Sequence, residues 1–371
     1  MTSPTGFVQP RLLFFKTRPH GTSSCAFSYI SDRKGGATHF ERTNKMTRTR
    51  NLAKVAGIAL AFVALAGCRT SHTGIEGSFD RRFTVSGPVT LELNNGSGDT
   101  RITTGPPGEV RIHGEFQVDS WSKQGGERQL QELESNPPVS QRGNLIQIGD
   151  ASHRGSHDSV DYTIVVPSDA ELRSTAGSGD VDVSGILGPA NFTSGSGAVK
   201  ASGIAGDVQT QTGSGDIELS DIKGHVQIAT GSGDITLDAI HGDTRIRTGS
   251  GDIEMSHPGG ALEADTGSGD IIVKDASRDL RLRASSGDIT VDGNPASSNF
   301  WDIHTNSGEV VLDVPQSASF RLYAHSSSGD IDAAIPIVME GTAAKHELRA
   351  RIGDAKARVE IETSSGGISL H

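Results

Sequence analysis

A carboxylate recurs at a fixed interval along most of this chain, each time behind a glycine-rich loop. In TGSGDIELSDIKGHVQIATGSGDITLDAIHGDTRIRTGSGDI (212–253) the loop Gly-Ser-Gly-Asp stands three times at one fixed spacing. In steps of 18 it closes at Asp180, Ala198, Asp216, Asp234, Asp252, Asp270 and Asp288, and Glu309 and Asp330 follow at steps of 21. Three chemistries suit such a loop. Its backbone N–H groups could cradle a phosphate, its stacked carboxylates could hold calcium, or Asp could accept N–H groups at a turn. A phosphate loop is needed once per site, so serial copies in register argue against it. If the copies stack about 4.8 Å apart, neighbouring carboxylates repel by roughly 0.9 kcal/mol in water, and something must offset that. Calcium-binding β-rolls carry Asp on both turns of each coil. Here one turn carries it, and Ala198 interrupts the column. Turn chemistry is therefore expected, with calcium at Asp216, Asp234, Asp252 and Asp270 as the alternative.

Other reactive side chains are fewer. His153 and His157 stand four apart in SHRGSH, but no helical pattern aligns them, so no metal is expected there. The motifs G-x-S-x-G, H-E-x-x-H and G-x-x-x-x-G-K-[ST] are missing. Arg245 and Arg247, Glu263 and Asp265, then Arg281 and Arg283 fall at matching places in successive repeats. Acids and bases on adjacent rungs serve β-helix enzymes, yet alternating charge on neighbouring strands also makes a stabilising ladder. The ladder is the expectation. Counting back from Glu309 and Asp330 puts Asp302 and His304 outward on one rung and Tyr323 and His325 outward on the next, with Trp301 inward. That patch joins an aromatic face, a carboxylate and two imidazoles, groups that suit a glycan. The insertions Gly293–Asn299 and Val314–Ser319 would flank it.

The elements that must carry these residues follow from the apolar period. Ile217 and Leu219 alternate with Glu218 and Ser220, and Val226 and Ile228 with Gln227 and Ala229. Each alternation is a half-buried strand, and Ile222–Gly224 carries the turn between them. The 18-mer thus reads strand, turn, strand, turn. The fold predicted is all-β, a single-chain β-solenoid of 18–21-residue coils with two short strands per coil and an irregular N-terminal cap. One such coil buries too little to fold alone, so stability passes between neighbours. Glu127–Ser135 is the one helical stretch, with Leu130 and Leu133 on one side and Pro137-Pro138 as its stop.

The N-terminus carries a separate signal. Met46–Lys54 is basic, Val55–Ala64 is a short apolar run, and Leu65-Ala66-Gly67-Cys68 follows. The run suits a signal peptide better than a membrane span. Leu-Ala-Gly-Cys resembles the lipobox of bacterial lipoproteins, which implies lipidation of Cys68 and a membrane contact through that lipid. By the same resemblance, Arg69 in place of Asp favours the outer membrane. The expected organisation is an extension outside the native start (1–45), a signal peptide (46–67), anchor and tether (68–82), an N-terminal cap (83–162), regular repeats (163–330) and C-terminal coils (331–371). Residues 1–67 hold ten Lys/Arg and two Asp/Glu, so the remainder carries 24 against 43, or −19. Such an acidic chain is a poor partner for nucleic acid. Cys25 lies in the extension and Cys68 would be lipidated, so no disulfide is expected.

DYTIVVPSDAELRSTAGSGDVDV, the serial GSGDI coils and the closing ARVEIETSSGGISL resemble an adhesin-like family of bacterial β-strand-repeat envelope proteins, catalogued as a domain of unknown function. The likeness spans Phe83–His371. It implies a β-solenoid at the cell envelope with a role in adhesion, and it supplies no catalytic residue. The function expected is a lipid-anchored structural or adhesin-like binding module, without catalysis or cofactor, meeting cell-surface glycan or an envelope protein. A β-helix enzyme on surface polysaccharide and a calcium-binding repeat module remain the alternatives.

Overall fold

The computed structural model describes residues 74–119, 122–149, 159–340 and 344–371. Among these, strands stack into two sheets of 14 and 15, and one coil of chain contributes a strand to each. The register is the sequence period made physical. Val226 pairs with Thr244 and Ile228 with Ile246 in one sheet, while Ile217 pairs with Ile235 and Leu219 with Leu237 in the other. All these pairs are parallel and join residues one repeat apart. The inner faces meet over aliphatic side chains: Ile235, Leu237, Ile240 and Ile246 of one coil are each 1% exposed or less.

Two local details depart from the simple alternation. Strands such as Val226–Ser232 run through the glycine and serine of the loop, because Ser232 still pairs with Ser250. Ile222 does not merely carry a turn. It is buried and ends the strand Ile217–Ile222. Asp221 before it takes φ 51°, and this left-handed residue swings the chain so that Leu219 and Ile222 both face the core despite a spacing of three.

Chain order and stacking order part company at both ends. An earlier copy of the loop, Asn95-Gly-Ser-Gly-Asp99, lies on a coil of its own, the strands Thr90–Ser97 and Thr100–Gly105. This coil docks onto Glu171–Ser178 and Val181–Ser184, matching Leu91 with Leu172 and Ile102 with Val183. So the region 83–162 contains a stacked coil as well as irregular elements. Beyond that coil, Ser159–Pro167 adds a parallel strand, then Glu109–Asp119 and Gly74–Thr84 add antiparallel ones. The helix Lys123–Ser135 covers part of this end, with Leu133 buried and Leu130 partly so. It begins ahead of its apolar pattern, because the Ser122 hydroxyl accepts the Gly125 N–H at 3.1 Å and caps it.

At the C-terminal end the last strands double back. Ala357–Ser365 inserts between Phe300–Ser307 and Phe320–Ser326, parallel to both, and Ile368–Leu370 does the same in the opposite sheet. Glu347–Ile352 then adds antiparallel to Phe320–Ser326, and the short strand Val338–Met339, antiparallel to it, ends that edge.

Candidate functional site

The loop corner shows what each letter of Thr-Gly-Ser-Gly-Asp does. Threonines of this column are buried, and several donate between coils: Thr212 Oγ1 to Thr230 Oγ1 at 2.8 Å, Thr305 Oγ1 to the Gly287 carbonyl at 3.0 Å, whereas Thr248 Oγ1 has no hydrogen-bond partner among the described residues. The glycines let coils meet backbone to backbone; a Cβ on Gly233 or Gly269 would lie 2.4 or 2.2 Å from a carbonyl oxygen of the coil before. The carboxylates form a ladder between coils. The N–H of Asp234 donates to Asp216 Oδ1 at 3.0 Å, Asp252 to Asp234 at 3.0 Å, Asp270 to Asp252 at 2.8 Å and Asp288 to Asp270 at 2.8 Å. The turn reading puts the accepted N–H within the same loop, whereas the structure puts it one coil on. Each charge-assisted bond of this kind outweighs the repulsion between neighbouring carboxylates.

No group of three or more His, Cys, Asp or Glu among the described residues is arranged to hold a metal. The ladder reading makes a sharp distinction. Asp252→Asn keeps an acceptor oxygen and should cost less than about 1 kcal/mol, whereas Asp252→Ala orphans the Asp270 N–H and should cost about 1–2 kcal/mol. Millimolar calcium should leave the melting temperature in place. A micromolar calcium site would add about 4 kcal/mol under those conditions, so a large shift abolished by Asp234→Asn with Asp252→Asn would restore the calcium alternative.

The opposite corner holds a second ladder, outside the expected site. The His225 N–H donates to Asp207 Oδ1 at 2.8 Å, the Asp243 N–H to His225 Nδ1 at 3.2 Å, and the Ala261 N–H to Asp243 Oδ1 at 3.0 Å. Accepting at Nδ1 fixes His225 as the tautomer protonated at Nε2. The signal is present as Gly-Asp, Gly-His, Gly-Asp at 206, 224 and 242, hidden because the residue type changes. These side chains edge an open groove of about 680 Å³ along the stack. Nearby, His257 sits between Asp238 (2.8 Å) and Asp275 (3.2 Å). Its hydrogen bond to Asp238 raises its pKa, burial opposes, and the Asp275 charge adds to the rise.

The outward face of the 15-stranded sheet carries the charge ladder. Arg245 meets Glu263 at 2.9 Å, Arg247 meets Asp265 at 3.7 Å, and Arg281 and Arg283 converge on Asp302 at 3.4 and 3.1 Å. The expected two-rung patch takes a different form. Trp301 is inward and fully buried, and Asp302, His304, Tyr323 and His325 are partly exposed. The two pairs are not neighbours, because Ala357–Ser365 runs between them. Glu360 stands between Asp302 and Tyr323, and Glu362 between His304 and His325. A count along the chain cannot see a strand inserted from near its end. Arg349 also lies over the Tyr323 ring, 5.2 Å from its centre, so that face is covered. His325 Nδ1 is buried without a hydrogen-bond partner. Of the flanking insertions, 298–299 line the cleft beside Tyr323, and 314–315 border a different hollow. Cys68, His153 and His157 lie outside the described residues.

The family model Toastrack DUF4097 matches residues 90–273 and 260–371. No curated protein matches. Matching solved structures include a "putative cell adhesion protein" from Clostridium sporogenes, 12% identical over 79% of this chain and 99% of that one, TM-score 0.20. A "putative lipid binding protein" from Parabacteroides distasonis is 12% identical over 79% and 96%, TM-score 0.37. A "putative adhesin" from Bacteroides fragilis is 11% identical over 80% and 97%, TM-score 0.30. At such scores these likenesses carry no argument about the site.

Proposed function

Because the chain belongs to the Toastrack DUF4097 family, whose model spans both its early coil and its last strands, we propose that it is a lipid-anchored, adhesin-like binding module of the bacterial envelope, without catalysis of its own. One observation carries the reading. The strand Gly74–Thr84, which takes up most of the stretch expected as tether (68–82), ends one edge of the 14-stranded sheet, and Ile331–Ala333 ends the other. Thirteen strand spacings of about 4.8 Å put roughly 60 Å between those edges. The stack is a spacer. It holds the C-terminal coils, with their aromatic and charged side chains, far from the attachment point. Charged side chains along its flank pair with neighbouring rungs, as Lys200 does with Glu218 and Arg245 with Glu263, which suits a structural shaft.

The anchor is tested at Cys68. Cys68→Ser should abolish palmitate labelling and move the protein from the membrane fraction to the soluble one, or leave unprocessed precursor. Unchanged fractionation and mature size would remove the anchor from the proposal. The binding role is tested separately, by immobilising the Cys68→Ser chain and passing envelope glycan fractions over it. Failure to retain any fraction would leave only a structural role.

A further inference from the structure

The outward face obeys one charge rule until its C-terminal end. From Arg245 to Asp302 each rung opposes the charge of the one before. The rule then breaks. Arg358 pairs in register with Arg321, and Arg321 with Arg351, so three guanidinium groups stand in one column on adjacent strands. All three are exposed. Arg321 reaches Glu340 at 3.6 Å, and Arg358 pairs with Glu360. Arg351 has no ion pair or hydrogen bond from its side chain among the described residues. Arg321 and Arg358 line a cleft of about 860 Å³ with Arg349, Lys356, Glu340 and Glu360, and Arg351 stands beside it. Arg349 pairs with Glu347 at 2.7 Å and Lys356 with Asp354 at 3.8 Å, so Arg351 is the member of the group left without a counter-charge among the described residues. This clustering runs against the composition, since the chain beyond Gly67 carries −19.

Two aromatic rings hold the cluster in shape. Arg358 lies over Phe300 at 5.5 Å and Arg349 over Tyr323 at 5.2 Å. Cation–π contact of this kind fixes a guanidinium plane before any ligand arrives. The rings therefore position arginines rather than offer open faces to a sugar. A fixed guanidinium retains donors that match carboxylate geometry two at a time. The column needs an anion bearing several such groups in a line, spaced comparably to the strands. A uronic acid polymer has that form, with one carboxylate per pyranose and a pyranose about as long as a strand spacing.

We propose that Arg321, Arg351 and Arg358, with Arg349 and Lys356 at the margin, form a binding site for the carboxylate groups of an acidic polysaccharide. The proposal rests on the binding role above and names its ligand class. It also explains the inserted last coil, which brings Arg358 beside Arg321 from a distant part of the chain. Binding should weaken with salt, as expected for exposed charges.

The test uses the full chain carrying Cys68→Ser, with labelled oligogalacturonate as probe and a neutral dextran of matched length as control. Oligogalacturonate should bind at low salt and dextran should not. Arg321→Gln with Arg351→Gln should weaken binding at least tenfold, while Arg351→Lys retains most of it. Arg245→Gln with Arg281→Gln, in the paired ladder, should leave affinity within twofold. Should the double variant misfold, Arg351→Gln alone decides the matter, because that side chain has no partner to lose. Equal binding by the arginine variants, or equal weakening by the ladder variant, overturns the site. So does binding to phosphatidylglycerol vesicles without binding to oligogalacturonate, which would make the cluster a membrane contact. Capture of envelope glycan with no binding of oligogalacturonate overturns the site and leaves adhesion standing.

Discussion

Ile246→Asp is expected to unfold a block of coils and to leave a chain that no longer melts in a single cooperative step. Ile246 is fully buried in the strand Thr244–Ser250, with Ile228 and Ala264 beside it in register. The substitution removes an aliphatic contact worth about 1.5–3 kcal/mol. It also places a carboxylate where the core supplies no counter-charge, at a further cost of several kcal/mol. A coil passes its stability to its neighbours, so hydrogen-exchange protection should fall across Val226–Ser286 and persist best at the two ends. Arg247→Asp, one residue along, is the contrast. Arg247 faces solvent and pairs with Asp265, so its replacement should cost about 1 kcal/mol or less. A fully protected Ile246→Asp variant would mean that the inward register is wrong.

That register is what the sequence showed best. Alternation of Ile, Val and Leu at a period of two, renewed in every 18-mer, leaves only one face of each strand able to enter a core. The charge ladder followed from the same count, because outward residues one repeat apart must be adjacent if coils stack in order. Everything that broke the order was illegible. Arg358 comes long after Arg321 in the chain, and nothing local in either segment says that one will slide beside the other. The strands and loop of the Thr90–Gly105 coil could be read from its own residues, but its docking was hidden for the same reason, since its partner strands begin only at Glu171 and Val181. A third kind of miss was conformational. Asp221, Ala239, His257 and Asp275 occupy one position of the repeat and all take φ between 51° and 57°. Three unrelated side-chain types, Asp, Ala and His, disguised a single backbone requirement. The ladder through His225 was lost similarly, to a change of residue type at constant geometry.

Gly251→Ala is expected to be among the most damaging substitutions of one small residue for another in this chain, at about 3–5 kcal/mol. Two independent causes combine. Gly251 takes φ 147°, a region that residues with a Cβ rarely enter. Its added Cβ would also lie 2.1 Å from the Gly233 carbonyl oxygen and 2.7 Å from its carbon. Both are backbone atoms fixed by the ladder, so the coils must part for the methyl to fit. Gly249 separates the two causes. It has no positive φ, and its Cβ would meet the Gly231 carbonyl oxygen at 2.7 Å. The repeat itself accepts Ser285 and Asn306 at that place, whereas the place of Gly251 stays glycine in Gly215, Gly233, Gly269, Gly287, Gly308 and Gly329. Gly249→Ser should therefore cost well under half as much as Gly251→Ala. Ser250→Ala, between them and exposed, should fall within about 0.5 kcal/mol of the parent. Urea melts of the three variants would show the order. Equal costs at 249 and 251 would mean that crowding alone, and not backbone conformation, keeps glycine at the corner of every coil.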